Sequence, residues 1–480
     1  MSELDAVVVG SGPNGLTAAA RLARAGRRVL VVEAGPTIGG GARTAELTET
    51  GFHHDVCAAF HPFGASSPAF AELGLWDRVE LLWPDVQFAH PLDGGHAGAV
   101  WRELEPTVEH LGRDGRRWRR SVGRFAARWD RLAPELMRPI VGLPRAPLLM
   151  ASFGRFALRS ATALARRFET EAAGALVAGC SAHAAAPLEQ PMVGGLGLAL
   201  AVAAHGRGWP VSRGGSQAIA DGLAAIILER GGTIECDRHM RAWTDLPSAS
   251  VVLFDTSPIQ LVRIAGDRLP SRFRGRLERF RPGAGVVKVD YALHAAVPWT
   301  NEIVRRAGTV HVGGTTLEIA SSERAVNDGT LAAKPYVLVG QQSLIDDTRA
   351  PAGAHTLWVY SHVPQGLALS SADIDQVVAR MESQIERFAP GFRDTIRARH
   401  VMGPADYEAY NPNQHGGDIA GGAITVGQLV ARPTLRLDPY RAPGGRGIYL
   451  CSASTGPGPG VHGMSGWHAA GSALRHELRD

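Results

Sequence analysis

The chain opens with apolar runs and helical spacing that together predict a strand–helix–strand unit. Residues 6–9 (AVVV) and 28–34 (RVLVVEA) are short and mostly apolar, which is typical of parallel strands buried on both faces. Between them, apolar residues recur at helical spacing, which predicts a helix over residues 14–25. Gly26 follows and can end that helix in the left-handed conformation. This alternation predicts an α/β fold with a parallel sheet.

Similar patterns return much later in the chain. Residues 210–235 contain a glycine turn, a stretch with helical spacing and a strand that begins at Thr233. Residues 250–254 (SVVLF) form another apolar run, and residues 448–451 (IYLC) form the last one. A helix-like stretch at 465–478 follows that last strand.

The remaining segments have a more mixed pattern. We expect residues 86–205 to be mainly helical. Residues 371–390 are amphipathic at helical spacing, and Pro390 ends the predicted helix. Alternating or continuous apolar residues predict four further strands, at 283–294, 309–314, 334–343 and 356–363. The whole chain is therefore expected to combine an α/β part with an α+β part.

A glycine pattern follows the first strand. Gly10, Gly12 and Gly15 have G-x-G-x-x-G spacing. The first glycine permits a tight turn, the second lets the backbone approach a diphosphate at the helix N-terminus, and the third allows close packing of helix and strand. Glu33 ends the second strand, about 20 residues further on, where a carboxylate can accept hydrogen bonds from a ribose. The pattern predicts a dinucleotide site, with further contacts from Ser11, Pro13, Asn14 and Ala34.

A second glycine-rich turn favours a flavin over a nicotinamide dinucleotide. Residues 39–44 (GGGART) follow the second strand and resemble the G-G-R-x-x-T fingerprint of FAD oxidoreductases such as glutathione reductase and the amine oxidases. The leading glycines and Thr44 fit this fingerprint. Gly41 stands at the usual arginine position, and Arg43 is displaced from it by two residues. We therefore predict FAD as the cofactor, with contacts from Gly39, Gly40, Gly41, Ala42 and Arg43.

Together with both glycine turns, segments 51–64, 210–235 and 446–474 resemble the bacterial phytoene desaturase-like flavoproteins. The resemblance is closer to the subgroup that includes the pyridine nucleotide-disulfide oxidoreductase domain-containing protein 2, and it covers nearly the whole chain. It implies a Rossmann-like FAD-binding domain of the glutathione reductase/amine oxidase type. It also implies an inserted substrate domain of mixed sheet and helices.

The resemblance also assigns positions to particular residues. It implies that the glycine-rich loop 455–464 returns beneath the flavin ring and that Met240 touches the adenine. The residues implied at the ring are Gly460, Val461, His462 and Gly463. The implied FAD-binding domain is discontinuous and comprises residues 1–85, 206–270 and 405–480. The implied substrate domain comprises residues 86–205 and 271–404.

Two titratable side chains are candidate catalytic groups. Lys288 is a rare lysine in an arginine-rich chain, and amine-oxidase-like flavoenzymes often use a lysine on a substrate-domain strand to hold a water at flavin N5. A solvated strand residue is the alternative. His462 is a candidate acid or base near the ring, with a structural hydrogen bond as its alternative. His53, His54 and His61 have no acidic partner at metal-ligand spacing, so we predict packing or cavity roles and no metal site.

Composition excludes several other classes of protein. The chain has 480 residues, 45% of them hydrophobic, and a net charge of +4. A disordered or nucleic-acid-binding protein is therefore not expected. The 4 cysteines are scattered, which excludes a redox dithiol and fits a reducing compartment.

Targeting and membrane signals are weak. The chain begins without a signal peptide, and its longest apolar stretch, residues 192–204, is too short to span a membrane. We therefore expect a cytoplasmic protein. The basic, tryptophan-containing segment 116–132 predicts either a helix that docks on a membrane or, as we favour, a surface helix with an apolar inner face.

The predicted function is that of an FAD-dependent oxidoreductase of the dehydrogenase or desaturase type. It would transfer a hydride between flavin and a large apolar substrate, such as a polyene, an isoprenoid or a hydrophobic biosynthetic intermediate. Oxygen or a quinone would accept the electrons. One alternative is a flavin amine oxidase that releases hydrogen peroxide, with an aromatic cage to which Tyr407, Tyr410 and Trp467 are the candidates. The other is a non-redox protein that uses FAD for isomerisation or for structural support.

Overall fold

A computed structural model describes residues 4–444 and 446–479. Two larger sheets and two short ribbons account for its strands. The strands are β1 (Leu4–Val9), β2 (Val29–Val32), β3 (Thr44–Glu46), β4 (His53–Asp55), β5 (Leu81–Leu82), β6 (Val86–Pro91), β7 (Ala97–Trp101), β8 (Val211–Ser212), β9 (Thr233–Glu235), β10 (Ala249–Phe254), β11 (Gly285–Leu293), β12 (Ala307–Val312), β13 (Val337–Gly340), β14 (His355–Val363), β15 (Ile396–Met402) and β16 (Ile448–Leu450).

Helices cover the sheets and fill the long segment between β7 and β8. They are α1 (Pro13–Arg24), α2 (Pro68–Leu73), α3 (Leu104–His110), α4 (Gly115–Trp118), α5 (Arg124–Ala126), α6 (Trp129–Leu136), α7 (Pro147–Ala157), α8 (Ala161–Ala165), α9 (Glu171–Ala182), α10 (Val193–Gly206), α11 (Gln217–Glu229), α12 (Pro258–Ala265), α13 (Ser271–Glu278), α14 (Thr316–Asn327), α15 (Ser371–Phe388), α16 (Pro404–Tyr410), α17 (Val426–Val430) and α18 (Met464–His476). Short 3-10 turns, and a π turn at Arg119–Gly123, connect some of them.

The first sheet is parallel and has the strand order β16-β10-β1-β2-β9. In its centre, Val8 of β1 pairs with both Val31 of β2 and Leu253 of β10. Helices α1, α11 and α18 cover one face of the sheet, while α12 and α13 cover the other. Because both faces are covered, the strands are apolar throughout and do not alternate. This three-layer arrangement confirms the predicted α/β class.

The second sheet has the order β15-β11-β14-β13-β12-β6-β7 and is antiparallel except for the pair β12 and β6. Successive side chains of its long strand β11 point to opposite faces. Val287, Val289 and Tyr291 pack with α15. Lys288 and Asp290 therefore point to the other face, where the neighbours come from residues 54–61 and from α16. The domain boundaries set out above stay a prediction, although each sheet takes its strands from the segments assigned to one domain.

Two segments differ from the sequence-based expectation. Residues 86–205 are mainly helical from Leu104 onward, but the expectation is wrong for β6 and β7. β6 is buried along its whole length, so it shows no alternation, and its partner β12 lies more than 200 residues away. Strand β15 was not predicted, because it is an edge strand whose exposed arginines, Arg397 and Arg399, interrupt the apolar pattern.

The basic segment 116–132 turns its aromatic residues inward. Trp118, Phe125 and Trp129 are all buried, and they pack against helix α10. The apolar inner face that we favoured is therefore present, and these aromatic side chains do not reach the surface. Within residues 4–444 and 446–479, no helix combines the length and the apolar character needed to cross a membrane.

Candidate functional site

The first glycine turn is too tight to accept side chains. Gly10 has a φ of +97°, a conformation that other residues rarely adopt. A Cβ atom on Gly15 would lie 2.2 Å from the Gly10 carbonyl oxygen, and one on Gly12 would lie 2.5 Å from Asp255 Oδ2. Pro13 begins α1, where a helix needs no N–H donor. The turn thus presents bare backbone at the N-terminus of α1, as the sequence pattern predicts.

Glu33 connects the end of β2 to this turn. Its Oε2 accepts a hydrogen bond from the Ser11 N–H at 2.9 Å, and its Oε1 accepts one from the Gly35 N–H at 2.8 Å. The Ser11 hydroxyl also donates to Oε2, at 2.5 Å. Ala34, another predicted contact, lies between Glu33 and Gly35 in the chain. The carboxylate is thus held beside the glycine turn, where a ribose contact was predicted.

The second glycine turn packs directly on the first. A Cβ atom on Gly40 would lie 2.9 Å from Gly12 Cα. The Gly39 N–H donates to the Ser11 carbonyl oxygen at 3.0 Å, and the Ala42 N–H donates to the Gly39 carbonyl oxygen at 2.8 Å. The two turns therefore form one continuous backbone surface, which unites most of the predicted dinucleotide contacts.

The displaced arginine has a clear structural position. Arg43 Nη2 forms an ion pair with Glu33 Oε1 at 3.3 Å, and its Nε donates to the Ile38 carbonyl oxygen at 3.2 Å. Its guanidinium carbon lies 5.3 Å from the centroid of the Tyr410 ring. The Tyr410 hydroxyl in turn donates to the Gly40 carbonyl oxygen at 3.0 Å. Arg43 and Tyr410 thus brace the second turn from the side.

Asp255 joins this site, although no sequence motif singled it out. It follows β10 directly and is half-buried, and its Oδ2 accepts a hydrogen bond from the Gly15 N–H at 2.8 Å. Burial raises the pKa of its carboxyl to about 7. Its position at the carboxyl end of an apolar run was the available signal, because ligands of parallel sheets bind at that edge. The neighbouring Asn14 is also buried, and its Oδ1 has no hydrogen-bond partner.

The C-terminal loop lies against the same helix. Gly463 precedes α18 with a φ of +66°, and a Cβ atom there would lie 2.2 Å from Thr17 Oγ1. A Cβ atom on Gly466 would lie 1.8 Å from the Asn14 carbonyl oxygen. The Val461 carbonyl oxygen lies 2.6 Å from where a Cβ atom on Gly64 would be. The first turns of α1 and α18 therefore meet, which joins the two glycine-rich ends of the chain.

His462 is enclosed in this loop and shapes it. Its Nδ1 accepts a hydrogen bond from the Met464 N–H at 3.1 Å, and its carbonyl oxygen accepts one from the Ser67 hydroxyl at 2.6 Å. A Cβ atom on Gly460 would lie 3.0 Å from its ring. Burial lowers the pKa of His462 to about 4, so the ring is neutral at physiological pH. This geometry favours the structural role over the acid–base role.

Lys288 lies in a second cluster, on the face of the antiparallel sheet opposite α15. Its ammonium pairs with Asp290, two residues along β11, and both side chains are buried. Asp290 Oδ1 lies 3.7 Å from His54 Nδ1, and His54 Nε2 lies 2.8 Å from Thr48 Oγ1. Burial, with a smaller contribution from Lys288, lowers the pKa of His54 to about 3. Burial raises the pKa of Asp290 to about 6 even though Lys288 opposes that rise.

Cys57 connects the lysine cluster to the second glycine turn. Its Sγ lies 3.8 Å from where a Cβ atom on Gly41 would be, and the Ala58 N–H donates to the Gly41 carbonyl oxygen at 2.9 Å. Burial raises the pKa of its thiol to about 11, and the charge of Lys288 opposes that rise. The Gln414 amide donates to the sulfur at 3.5 Å. The fold therefore brings Lys288 close to the predicted cofactor contacts, although these residues are far apart in the sequence.

A buried arginine holds the segments around this cluster together. Arg349 is fully enclosed and binds Asp55 at 2.9 Å and Asp346 at 2.7 Å. Asp55 Oδ1 also accepts hydrogen bonds from the Thr44 hydroxyl at 2.8 Å and from the Ser216 N–H at 2.7 Å. No local pattern signals this network, because its members come from four separate segments. It fixes the second glycine turn relative to the antiparallel sheet.

Other predicted residues lie outside the lysine cluster. Met240 packs with Val32 and Val252 at the outer face of the parallel sheet. Trp467 stacks under the Arg21 guanidinium at 4.0 Å and packs with two other apolar clusters, not with the one around Cys57. Two of the predicted cage residues, Tyr407 and Tyr410, do lie in the apolar cluster around Cys57, whose other aromatic members are Phe60, Tyr336, Trp358 and Tyr360.

Known proteins resemble the chain at the level of sequence. Residues 8–74 match the family described as NAD(P)-binding Rossmann-like domain. The pyridine nucleotide-disulfide oxidoreductase domain-containing protein 2 of Mus musculus is 25% identical, with 98% of this chain and 94% of the relative covered. A limonene dehydrogenase polypeptide of Castellaniella defragrans is 37% identical over 114 residues, which are 24% of this chain and 20% of that protein.

Solved structures resemble the chain along its whole length. Putrescine oxidase with bound putrescine superposes with a TM-score of 0.64 at 17% identity and covers 99% of each chain. A putative protoporphyrinogen oxidase from Exiguobacterium superposes with a TM-score of 0.58 at 16% identity and covers 100% of each chain. The comparisons confirm the dinucleotide-binding Rossmann-like domain and the overall fold.

Proposed function

We infer that this chain is an FAD-dependent oxidoreductase of the amine oxidase/desaturase superfamily, and we propose that it transfers a hydride between flavin and a large apolar substrate. The observation that carries the cofactor assignment is the contact between the two glycine turns, with Gly40 against Gly12. Their bare backbone, the N-terminus of α1 and the Glu33 carboxylate suit the diphosphate and ribose of a dinucleotide. Asn14, buried with an unpartnered Oδ1, offers a further polar contact.

The character of the lysine cluster supports an apolar substrate. The side chains around Cys57 are mostly apolar or aromatic, namely Val56, Val286, Trp358, Tyr360, Met402 and Tyr407. Lys288 is neutralised there by Asp290, and the neighbouring Arg349 by Asp55 and Asp346. A carboxylate or phosphate substrate would need a cation that is free to pair with it. The partial relative that is named a limonene dehydrogenase adds support for a hydrocarbon substrate.

The chain's own residues would hold a proton beside the redox centre. Bound FAD supplies the hydride-accepting ring, and the protein supplies orientation and electrostatics. Lys288 Nζ is fixed by Asp290 and carries donors that can hold a water or a substrate atom in place. The apolar side chains around this pair exclude bulk water, which strengthens each polar interaction at the site. Oxygen or a quinone would accept the electrons.

An anaerobic absorbance experiment tests this proposal. Purified protein with FAD should show oxidised-flavin absorbance that bleaches when a polyene or terpene hydrocarbon is added without oxygen. Bleaching by amines instead would support the amine oxidase alternative. Flavin that binds but that neither class of substrate reduces would favour isomerisation or a structural role. A protein that binds no flavin would contradict the cofactor assignment.

We also propose that a peripheral membrane contact uses the region around α7, not segment 116–132. Four side chains are largely exposed there: Ile140 at 58%, Leu143 at 90%, Leu148 at 86% and Leu158 at 62%. Residues 138–168 contain no acidic residue and carry arginines at 138, 145, 155, 159, 166 and 167. Exposed leucines surrounded by arginines suit a bilayer that contains anionic lipid.

This apolar surface adjoins the C-terminal glycine loop. A Cβ atom on Gly456 would lie 3.2 Å from Pro139 Cα, and His468 Nε2 lies 3.1 Å from the Met137 carbonyl oxygen. A substrate dissolved in a bilayer would therefore meet the protein next to the loop that is implied to lie beneath the flavin. Peripheral docking at this surface would serve the uptake of a large apolar molecule.

Vesicle sedimentation checks the docking surface. Wild-type protein should sediment with vesicles that contain phosphatidylglycerol, and added salt should weaken the binding. The variant Leu143→Asp/Leu148→Asp should lose most of this binding, because it places two charges where apolar side chains enter the lipid. Leu317→Asp is the matched control, since Leu317 is 70% exposed on α14. Equal sedimentation of wild type and the double variant would exclude this surface.

A further inference from the structure

Asp255 occupies the place where the fold directs a phosphate. Its Oδ2 accepts a hydrogen bond from the Gly15 N–H at 2.8 Å and lies 2.5 Å from where a Cβ atom on Gly12 would be. Helix α1 has no side-chain cap of its own at its N-terminus, so a carboxylate from 240 residues further along the chain provides one. The free N–H groups and dipole of a helix N-terminus attract a diphosphate for the same reason that they attract this carboxylate.

The surroundings of Asp255 offer no counter-charge. Glu33 acts on it from the end of β2 and disfavours its ionised form. Cys451, buried at the end of β16, interacts with it electrostatically as well. Its contacts from the β1–α1 turn are the glycines at 10, 12 and 15. Among the residues that the structure describes, no cation lies within ion-pair distance of Asp255, and the group is half-buried.

A diphosphate and an ionised Asp255 would repel each other at this turn. Like charges held a few ångströms apart at a half-buried position each disfavour the ionised form of the other. A protonated Asp255 removes this repulsion. It also gains an O–H donor, which the bound phosphate oxygens can accept. The same residue therefore caps α1 in the free protein and can serve as a phosphate ligand in the bound protein.

We propose that Asp255 is a ligand of the cofactor diphosphate and that it takes up a proton when the diphosphate binds. This inference rests on the proposed function, because it requires a dinucleotide at the glycine turns. The proposal adds to the cofactor contacts a residue that neither glycine fingerprint contains. It also predicts that occupancy of the cofactor site depends on pH. Riboflavin, which lacks the diphosphate, should bind without this proton uptake.

The direction of the pH effect follows from the position of the group. Burial raises the pKa of Asp255 to about 7 in the cofactor-free protein, and a bound diphosphate raises it further. Below about pH 7 the carboxyl is already protonated, so the affinity is insensitive to pH. Above that value each binding event must supply one proton. The dissociation constant should therefore rise about tenfold per pH unit between about pH 7 and pH 9.

Isothermal titration calorimetry with FAD and with ADP-ribose tests the proposal. Both ligands carry a diphosphate diester that does not titrate between about pH 6 and pH 9. Titrations in two buffers with different ionisation enthalpies report the protons taken up. We expect about one proton per wild-type site at pH 8 and close to none at pH 6 or below.

The variant Asp255→Asn shows whether the proton taken up on binding belongs to Asp255. Asparagine keeps an oxygen that can accept the Gly15 N–H but cannot ionise, so binding should become independent of pH and release or take up no proton. Asp255→Ser is a second uncharged variant should the first fold poorly. Asp267→Asn is the matched control, because its side chain is 98% exposed. The control should keep the pH dependence of the wild type.

The outcomes distinguish this inference from the function beneath it. Tight FAD binding with a flat pH profile in the wild type would overturn the role of Asp255 and leave the oxidoreductase assignment intact. Proton uptake that persists in Asp255→Asn would also overturn it. No binding of FAD at any pH would overturn the cofactor assignment, and with it the proposed proton uptake by Asp255.

Discussion

Replacement of Lys288 by methionine should slow the reduction of bound flavin by about 10²- to 10⁴-fold, the usual range for the loss of a positioned proton-transfer group. It should also lower the free energy of unfolding, by up to about 3–5 kcal/mol, because buried Asp290 would lose its partner and would have either to stay ionised or to bind a proton. Methionine approximates the length of the lysine chain, so the effect comes mainly from the lost charge. Anaerobic stopped-flow absorbance measures the first quantity, and urea denaturation measures the second.

A double variant tells catalysis apart from stability. Lys288→Met/Asp290→Asn removes both charges, so most of the lost stability should return, while flavin reduction should stay slow. Lys334→Met is the control, because Lys334 is the other lysine of the chain and its side chain is 69% exposed. Recovery of the reduction rate together with stability would show that Lys288 only balances Asp290. Normal reduction by Lys288→Met would rule out its proposed role at the flavin.

Replacement of Gly466 by alanine should be the most damaging single methyl addition near the site. The new Cβ atom would lie 1.8 Å from the Asn14 carbonyl oxygen, far inside the contact distance. Helices α18 and α1 would have to move apart, and both begin at the proposed cofactor site. We expect a loss of about 3 kcal/mol or more of stability, at the upper end of overpacking costs, together with weaker FAD binding.

Thermal denaturation and FAD fluorescence titration check this expectation. Gly154→Ala is the matched control, since Gly154 also lies within a helix but has no heavy atom within 4 Å of the new Cβ position. The control should be neutral or slightly stabilising, because alanine favours helix over glycine. A Gly466→Ala protein as stable as the control would show that α1 and α18 can separate without cost.

Local patterns in the sequence were enough for the parallel part of the fold. Continuous apolar runs identified β1, β2 and β10, because buried parallel strands need no polar alternation. Glycine spacing identified both turns, because the contact between Gly40 and Gly12 leaves no room for side chains. Family resemblance implies that the C-terminal loop lies beneath the flavin ring, which stays a prediction; the structure itself places Gly466 of α18 against Asn14 of α1.

Local patterns did not reveal partners that lie far apart in the sequence. β6 pairs with β7, which follows it directly, and also with β12, more than 200 residues away, and a local pattern cannot show the second pairing. The roles of Asp255 and Arg349 depend on a hydrogen bond and ion pairs with residues on distant segments, which a single sequence does not reveal. Lys288 and Asp290 are an exception that was missed. Residues two apart on a strand share a face, so a Lys-x-Asp sequence in a buried strand already indicates a pair.

The packing of α18 against α1 also bears on how the protein is made. The ribosome delivers both glycine turns early, but β10, the neighbour of β1, comes about 240 residues later, and α18 comes about 450 residues after α1. For most of synthesis, the nascent chain therefore contains only part of its nucleotide site. We therefore expect a chain truncated before residue 464 to retain flavin poorly, because it lacks the helix that packs on α1.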